Sequence, residues 1–261
     1  MGAFSERYGP WAVVAGASEG LGAAFARSLA QRGVDLVLLA RRADALEALA
    51  ATLPVAVRCV PGDLADPALP ERLHEATADL EVGLAVYNAA ASCPGPLLAH
   101  PLAAALQVVD VNVRGPLVLT HALAPAMVAR GRGGLVLMSS LVGLQGSPNL
   151  AAYAASKAFT TVLGQSLWAE LRPQGVDVVV SCAGAIATPN YRRASRKDAP
   201  GTVAPEQVAE QALDALGRGP LVVPGAVNRL AAFLLPRIPR RWALALLGRS
   251  TDDALTLEGP P

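Results

Sequence analysis

The chain has 261 residues, 52% of them hydrophobic and 16% charged, with a formal net charge of +1 at pH 7. That length and apolar share suffice for one large core and fit a single α/β domain, whereas the near-neutral balance excludes the basic footprint of a nucleic-acid binder. Cys59, Cys93 and Cys182 are odd in number, widely spaced and free of CxxC pairs, which excludes a disulfide framework and a metal site from the reading and fits a reducing, cytoplasmic setting.

Taken in chain order, the first residues show neither a basic start with an apolar run nor a Ser or Thr where Glu6 stands after Gly2, so no export or myristoylation is expected. Residues 11–15 are apolar and β-prone and end in Gly16; residues 21–29 then carry helical apolar spacing. This predicts a strand, a tight turn and a helix. Gly16, Gly20 and Gly22 in that turn would let backbone amides and a helix N-terminus approach a pyrophosphate, although a crowded strand-to-helix crossing alone would use glycines too.

A second strand at 36–39 runs into Ala40, Arg41 and Arg42. An acid at the end of this strand usually holds the adenosine ribose hydroxyls, and an Arg accommodates a 2′-phosphate. Two guanidiniums without a carboxylate favour NADP over NAD, unless they merely solvate a helix start. Residues 44–53 read as a helix and 55–60 as the third strand, followed by Asp63, which either faces an adenine or caps the helix beginning near Pro67.

The fourth strand, 84–86, leads into Tyr87, Asn88, Ala89 and Ala90, whose small residues would let a loop lie against a cofactor. A long helical pattern covers 101–130 and contains Asn112. A fifth strand, 135–138, stops at Ser139 and Ser140, at the edge where α/β sheets bind ligands. Tyr153 and Lys157 then stand four apart on a helix running to residue 171, so both side chains leave one face. A cation beside a phenol favours its ionised form, and lowering a tyrosine pKa by about three units needs roughly 4 kcal/mol, from Lys157 and a second positive charge together. By itself the spacing reads equally as two residues on a partly exposed helix. A sixth strand, 176–181, ends in Cys182, Ala183 and Gly184. Strands alternating with helices predict a doubly wound, Rossmann-type parallel sheet with helices on both faces.

In order and spacing, Gly16, Gly20, Gly22, Asn88, Asn112, Ser140, Tyr153 and Lys157 resemble the short-chain dehydrogenase/reductase family, over roughly residues 8–190. The resemblance implies a catalytic set of Asn112, Ser140, Tyr153 and Lys157. Ser140 would hold a substrate carbonyl oxygen and Tyr153 would transfer the proton. Lys157 would lower the tyrosine pKa and bind the nicotinamide ribose, while Asn112 would position a water linking Lys157 to solvent. Ser140 is preferred to Ser139 because the family's serine stands thirteen positions before its tyrosine. The implied cofactor contacts are Gly16, Ser18, Gly20, Leu21, Gly22, Arg41, Arg42, Asp63, Leu64, Asn88, Ala89, Tyr153, Lys157, Gly184, Ile186 and Thr188, around NADP(H). The chain departs from the family pattern at Ala15, at Tyr87 to Ala90 and at Ala183, all in loops around the cofactor. The family also implies a homodimer or homotetramer built on the two long helices.

Residues 189–201 are polar and basic, with Arg192, Arg193, Arg196 and Lys197, and by resemblance form a lid. Beyond them, 226–235 and 242–247 are apolar and interrupted by Arg229, Arg237, Arg240, Arg241 and Arg249, and neither run reaches the ~18 residues of a spanning helix. These two short helices would pack on a core or a neighbour, wall an apolar pocket, or lie on a membrane surface. The expected protein is one domain, 1–190 forming the cofactor and catalytic core and 190–261 the lid and apolar helices. It would be an NADP(H)-dependent oxidoreductase of an apolar ketone or aldehyde; the alternatives are an NADP-binding scaffold without turnover and an epimerase or dehydratase on the same fold.

Overall fold

The alternating strand and helix signals are realised as one parallel sheet. The computed structural model describes residues 2–194 and 198–245; Arg196, Lys197 and the stretch with Leu246, Leu247 and Arg249 lie outside the described residues. In chain order the elements are α1 (Ala3–Tyr8), β1 (Trp11–Ala15), α2 (Gly20–Gln31), β2 (Asp35–Ala40), α3 (Ala43–Ala50), β3 (Val57–Pro61), α4 (Leu69–Thr77), β4 (Val82–Tyr87), α5 (Leu102–Val109), α6 (Gly115–Arg130), β5 (Gly133–Ser140), α7 (Ala151–Leu171), β6 (Val176–Ala183), α8 (Pro189–Ala194), α9 (Pro205–Asp214), β7 (Leu221–Val222) and α10 (Ala226–Leu234). Among the described residues the sheet order is β3-β2-β1-β4-β5-β6-β7, every pair parallel. The order reverses between β1 and β4, which is where a doubly wound sheet opens a crevice for a ligand.

Alternation along the strands builds two cores. Ala12, Val14, Leu36 and Leu38 point to one face with Phe25 and Leu29 of α2 and Val208 and Leu213 of α9. Val13, Ala15, Val37 and Leu39 point to the other with Leu73 of α4, Leu119, Leu123 and Met127 of α6, and Leu167 of α7. Central strands buried on both faces read as continuous apolar runs, as those of β1, β2 and β4 do.

Three differences from the sequence expectation have physical causes. The third strand starts at Val57, not 55, because the Ala56 amide donates to Asp35 Oδ1 at 2.9 Å before pairing begins. The helix expected over 101–130 is broken by a π-helical turn at Asp110–Arg114. There the Tyr87 hydroxyl donates to the Val111 carbonyl at 2.5 Å, and Gly115 passes so close that a Cβ would lie 1.9 Å from that oxygen. The third is α1, which carries no periodicity long enough to read but is pinned by its end: Arg7 Nε and the Tyr8 hydroxyl both donate to Asp177 Oδ2 at 2.8 Å.

The span Leu102–Arg130 contains an 18-residue window with a mean hydropathy of 1.4 and is long and apolar enough to cross a membrane by length and composition, which the sequence reading passed over. Here α6 packs on β4, β5 and α4, with Leu119, Leu123 and Met127 in the core.

Candidate active site

The carboxyl ends of β1, β4, β5 and β6 gather the glycine turn, Asn88, Ser140 and Gly184, while Arg41 and Arg42 follow β2 and Asp63 follows β3. At the end of β1, Gly16 adopts φ 81° with its amide donating to Leu39 O at 2.8 Å, and a Cβ there would lie 2.7 Å from the backbone of Ala89. At Gly22 a Cβ would fall 1.9 Å from Gly16 O, so helix α2 can start against the turn only without a side chain. Asn88 ties the β4 loop to this turn through Nδ2 to Gly16 O, at 2.9 Å. The result is a narrow backbone cradle at a helix N-terminus, the shape that accepts a pyrophosphate.

Around the cradle the remaining predicted cofactor residues divide into three groups. Ser18, Arg42 and Glu19 form one polar cluster: Arg42 donates to Ser18 Oγ at 3.3 Å and pairs with Glu19 at 3.1 Å, and Glu19 also pairs with Arg193 of α8 at 3.3 Å. Arg41 is exposed at the end of β2 and enters no salt bridge among the described residues. Asp63 takes the Ala65 amide on Oδ1 at 2.9 Å, so one oxygen stabilises its own turn. Leu21 and Leu64 bury their side chains in the two cores and offer only backbone. On the far side, Thr188 touches the turn, its methyl 3.0 Å from a Cβ placed on Gly20, while its Oγ1 accepts the Tyr191 amide. Ile186 bridges in parallel to Val203, and a Cβ on Gly184 would meet Asn228 Oδ1 at 2.5 Å. A cavity of about 840 Å³ opens beside the turn, lined by Ser18, Glu19, Arg27, Thr52 and Arg192; it excludes Ser140 and Tyr153 and is not the reaction centre.

The four polar residues converge where β5 meets α7. Ser140, half-buried at the last position of β5, lies on the Tyr153 side, where its side chain favours the phenolate. Lys157 is 3% exposed. Its Nζ donates to Met138 O at 2.9 Å and sits 5.6 Å from the Tyr153 ring centroid. Ser139, one residue earlier, faces the opposite way: its hydroxyl donates to Lys157 O at 2.8 Å and lies 2.7 Å from Thr161 Oγ1, sealed in the protein. The pleat of the strand thus separates the two serines.

Asn112 sits in the π-helical turn with its side chain fully engaged. Oδ1 accepts the Ala91 amide at 2.8 Å, and Nδ2 donates to Ala91 O at 2.8 Å and to Ser156 Oγ at 2.9 Å. The side chain therefore clamps the β4 loop to α7, and any water held by this residue falls to its carbonyl, which also takes a long bond from Thr160 Oγ1 at 3.4 Å. Turns of π-helix are common at functional sites for this reason, since they free a backbone group.

The electrostatics differ from the simple expectation. Burial raises the Tyr153 pKa above its usual value, and the Ser140 side chain opposes that rise. Burial also brings the Lys157 ammonium down to about 8. In the protein alone Nζ is directed at a backbone carbonyl and burial penalises the phenolate, which is why the expected lowering calls on Lys157 and a second positive charge together. A further positive charge is needed beside the phenol.

Sequence reasoning gave no role to Ser156, which holds Asn112, although its place beside Lys157 on α7 was a usable signal. It also missed Gln145, five residues beyond Ser140, whose Nε2 is buried without a hydrogen-bond partner among the described residues. Nothing in the local pattern marks Gln145.

Comparison with known proteins agrees with this arrangement. The family profile described as short chain dehydrogenase matches residues 10–199. The chain is 33% identical over 256 residues to a 7beta-hydroxysteroid dehydrogenase of Clostridium sardiniense, covering 95% of this chain and 98% of that one. It is 36% identical over 198 residues to a very-long-chain 3-oxoacyl-CoA reductase of Neurospora crassa, covering 72% and 60%. Among solved structures, a 7beta-hydroxysteroid dehydrogenase superposes with a TM-score of 0.87 at 27% identity over 94% of this chain and 98% of that one. A short-chain dehydrogenase from Sphingobium yanoikuyae in complex with NADPH superposes at 0.76 with 31% identity, over 87% and 93%.

The buried ammonium has a measurable signature. Between about pH 8 and the ordinary lysine value of 10.5 the unfolded chain holds a proton that the folded one has lost, so the Lys157 contribution to stability rises with pH in that window. Below about 8 the full penalty persists. Comparing urea denaturation of the wild type with Lys157→Met should show the stability advantage of the variant shrinking by about 1 kcal/mol per pH unit across the window. A pH-independent difference would contradict the burial.

Proposed function

We propose that this chain, which belongs to the short chain dehydrogenase family, is an NADP(H)-dependent oxidoreductase that interconverts a bulky apolar ketone and its alcohol, with Tyr153 as the proton donor and acceptor. The observation that carries the reading is the meeting of Ser140 and Tyr153 with the Lys157 ammonium buried beside them, at the carboxyl end of β5. NADPH, when bound, supplies the hydride to the carbonyl carbon.

Each residue then has a defined task. Ser140 and Tyr153 present two hydroxyls to one substrate oxygen, Ser140 orienting it and Tyr153 giving or taking the proton. Lys157 is fixed by Met138 O so that its remaining protons reach a ribose hydroxyl and the space beneath the phenol. Asn112 keeps the β4 loop and α7 in register and leaves its carbonyl for a water that reprotonates the lysine. Gly16, Gly20 and Gly22 would admit the pyrophosphate, Arg41, and Arg42 once it leaves Glu19, would pair with the 2′-phosphate, and Asn88, Ala89, Gly184, Ile186 and Thr188 would border the nicotinamide half. Support for NADP rests on the two guanidiniums at the end of β2, the absence of an acid there, and the NADPH complex of the Sphingobium relative.

Two independent observations support the substrate class. The relatives at 33% and 36% identity are named for a hydroxysteroid and a very long acyl chain. Beside Ser140 this chain places Leu141, Val142 and Leu144, all partly exposed, with Gln145 as a nearby donor for one polar group. We assign the chain as a single catalytic unit, residues 1–190 carrying the chemistry and 190–261 the cover. The three cysteines are free thiols, which suits a reducing compartment. Exposed Leu102, Leu106, Leu117 and Val162 on α5, α6 and α7 suit a homo-oligomer formed on these helices.

Two substitutions test separate parts of the reading. Tyr153→Phe should keep the NADPH dissociation constant while reducing kcat for a steroid or long-chain ketone by about 10²–10⁴-fold; retention of wild-type turnover would remove Tyr153 from proton transfer. Arg41→Ala should lower the kcat/KM ratio of NADPH to NADH by about tenfold or more, since a charge-assisted bond to the 2′-phosphate is lost, and an unchanged ratio would refute the phosphate contact.

A further inference from the structure

Helix α10 is turned inside out relative to a helix that merely packs on a core. Its buried side is polar: Asn228 donates from Nδ2 to Gly201 O at 3.0 Å and to Pro224 O at 2.9 Å. Its outward side is apolar, with Val227 54%, Leu230 58%, Phe233 56% and Leu234 48% exposed. At helical spacing these four fall within an arc of about 120°. Ile238, Trp242 and Leu244 prolong the exposed apolar surface past the end of the helix. A contiguous apolar patch on the outside of a protein marks an interaction surface.

The charges around this patch select its partner. Arg229, Arg237, Arg240 and Arg241 are all exposed, none joins a salt bridge among the described residues, and positions 226–249 contain no Asp or Glu. Arg237 lies over the Phe233 ring, 3.6 Å from its centroid, so one guanidinium sits level with the apolar arc. Apolar side chains ringed by unpaired arginines match an interface of acyl chains below anionic headgroups. A second copy of the chain fits worse, because a two-fold contact would set each arginine cluster against its twin.

We infer that α10 and the segment through Leu244 dock the protein on an anionic lipid surface. The docking surface borders the reaction cleft. Helix α10 packs on Leu141–Leu144, the turn directly after Ser140, and Leu244 Cδ2 lies 3.4 Å from a Cβ placed on Gly146. Docking therefore turns the mouth of the cleft toward the lipid, where an apolar ketone partitions. That consequence for substrate delivery rests on the function proposed above; the docking itself does not.

Sedimentation of the full chain with vesicles, in parallel with its ketone reductase activity in solution, tests the inference. The wild type should pellet with vesicles containing phosphatidylserine about tenfold more than with phosphatidylcholine alone, and less as salt is added. Phe233→Asp with Trp242→Asp should abolish pelleting while the thermal midpoint is kept, and Arg240→Gln with Arg241→Gln should erase the preference for phosphatidylserine. Equal binding to both vesicles, no binding by the wild type, or unimpaired binding by the Phe233 and Trp242 variant would each overturn it. So would light scattering that shows the latter variant breaking a dimer without altering pelleting, since a second copy would then cover the patch. A protein that pellets as expected yet reduces no ketone would leave the docking standing and refute the catalytic reading alone.

Discussion

The burial of one ammonium organises this molecule. Lys157 leaves α7 and ends on the carbonyl of Met138, inside the sheet-helix junction, with 3% of its surface exposed. Placing a cation there costs free energy, which its lowered pKa records. The surroundings are arranged to tolerate it: Ser139 and Thr161 fasten the backbone around Lys157, and a Cβ on Gly143 would collide with the Lys157 carbonyl carbon at 2.6 Å. With the helix fixed at this point, Tyr153, one turn earlier on the same face, lies between Ser140 and the Lys157 ammonium.

The same constraint links the separate motifs. Asn112 reaches α7 through Ser156, beside Lys157, and reaches the cofactor side through Ala91 and the β4 loop. That loop is joined by Asn88 to the glycine turn. Hydrogen bonds and the backbone of the β4 loop thus link the glycine turn to the stretch of α7 that carries Tyr153, ending on the Tyr153 carbonyl. Within the protein alone, burial still holds Tyr153 above its ordinary pKa. An oxidised nicotinamide beside it would bring the missing positive charge, and on the proposed reading cofactor binding would then favour the phenolate.

Much of this was legible in the sequence where the constraint is local. Glycines at 16, 20 and 22, the tyrosine and lysine four apart, and alternating strand and helix periods each encode geometry within a few residues. The π-helical turn was not legible, since its cause is Tyr87, far upstream, taking the Val111 carbonyl. The thirteen-residue spacing to Tyr153 selects Ser140 over Ser139 by resemblance only; the pleat of β5 supplies the physical reason, sending one hydroxyl to Thr161 and the other toward Tyr153. The periodicity of 226–234 revealed an amphipathic helix but not that Asn228 would draw its polar side inward and leave the apolar side outside. In each case the deciding contact lies between segments distant in sequence.

Tyrosinate absorbance reports the coupling of cofactor and phenol directly. Titrating the wild type against Tyr153→Phe isolates the Tyr153 signal, first alone and then with saturating NADP⁺. The phenolate of Tyr153 should appear at a lower pH with NADP⁺ than without it. Superimposable titrations in the two states would contradict the central claim that the cofactor completes the charge environment built by Lys157 and Ser140.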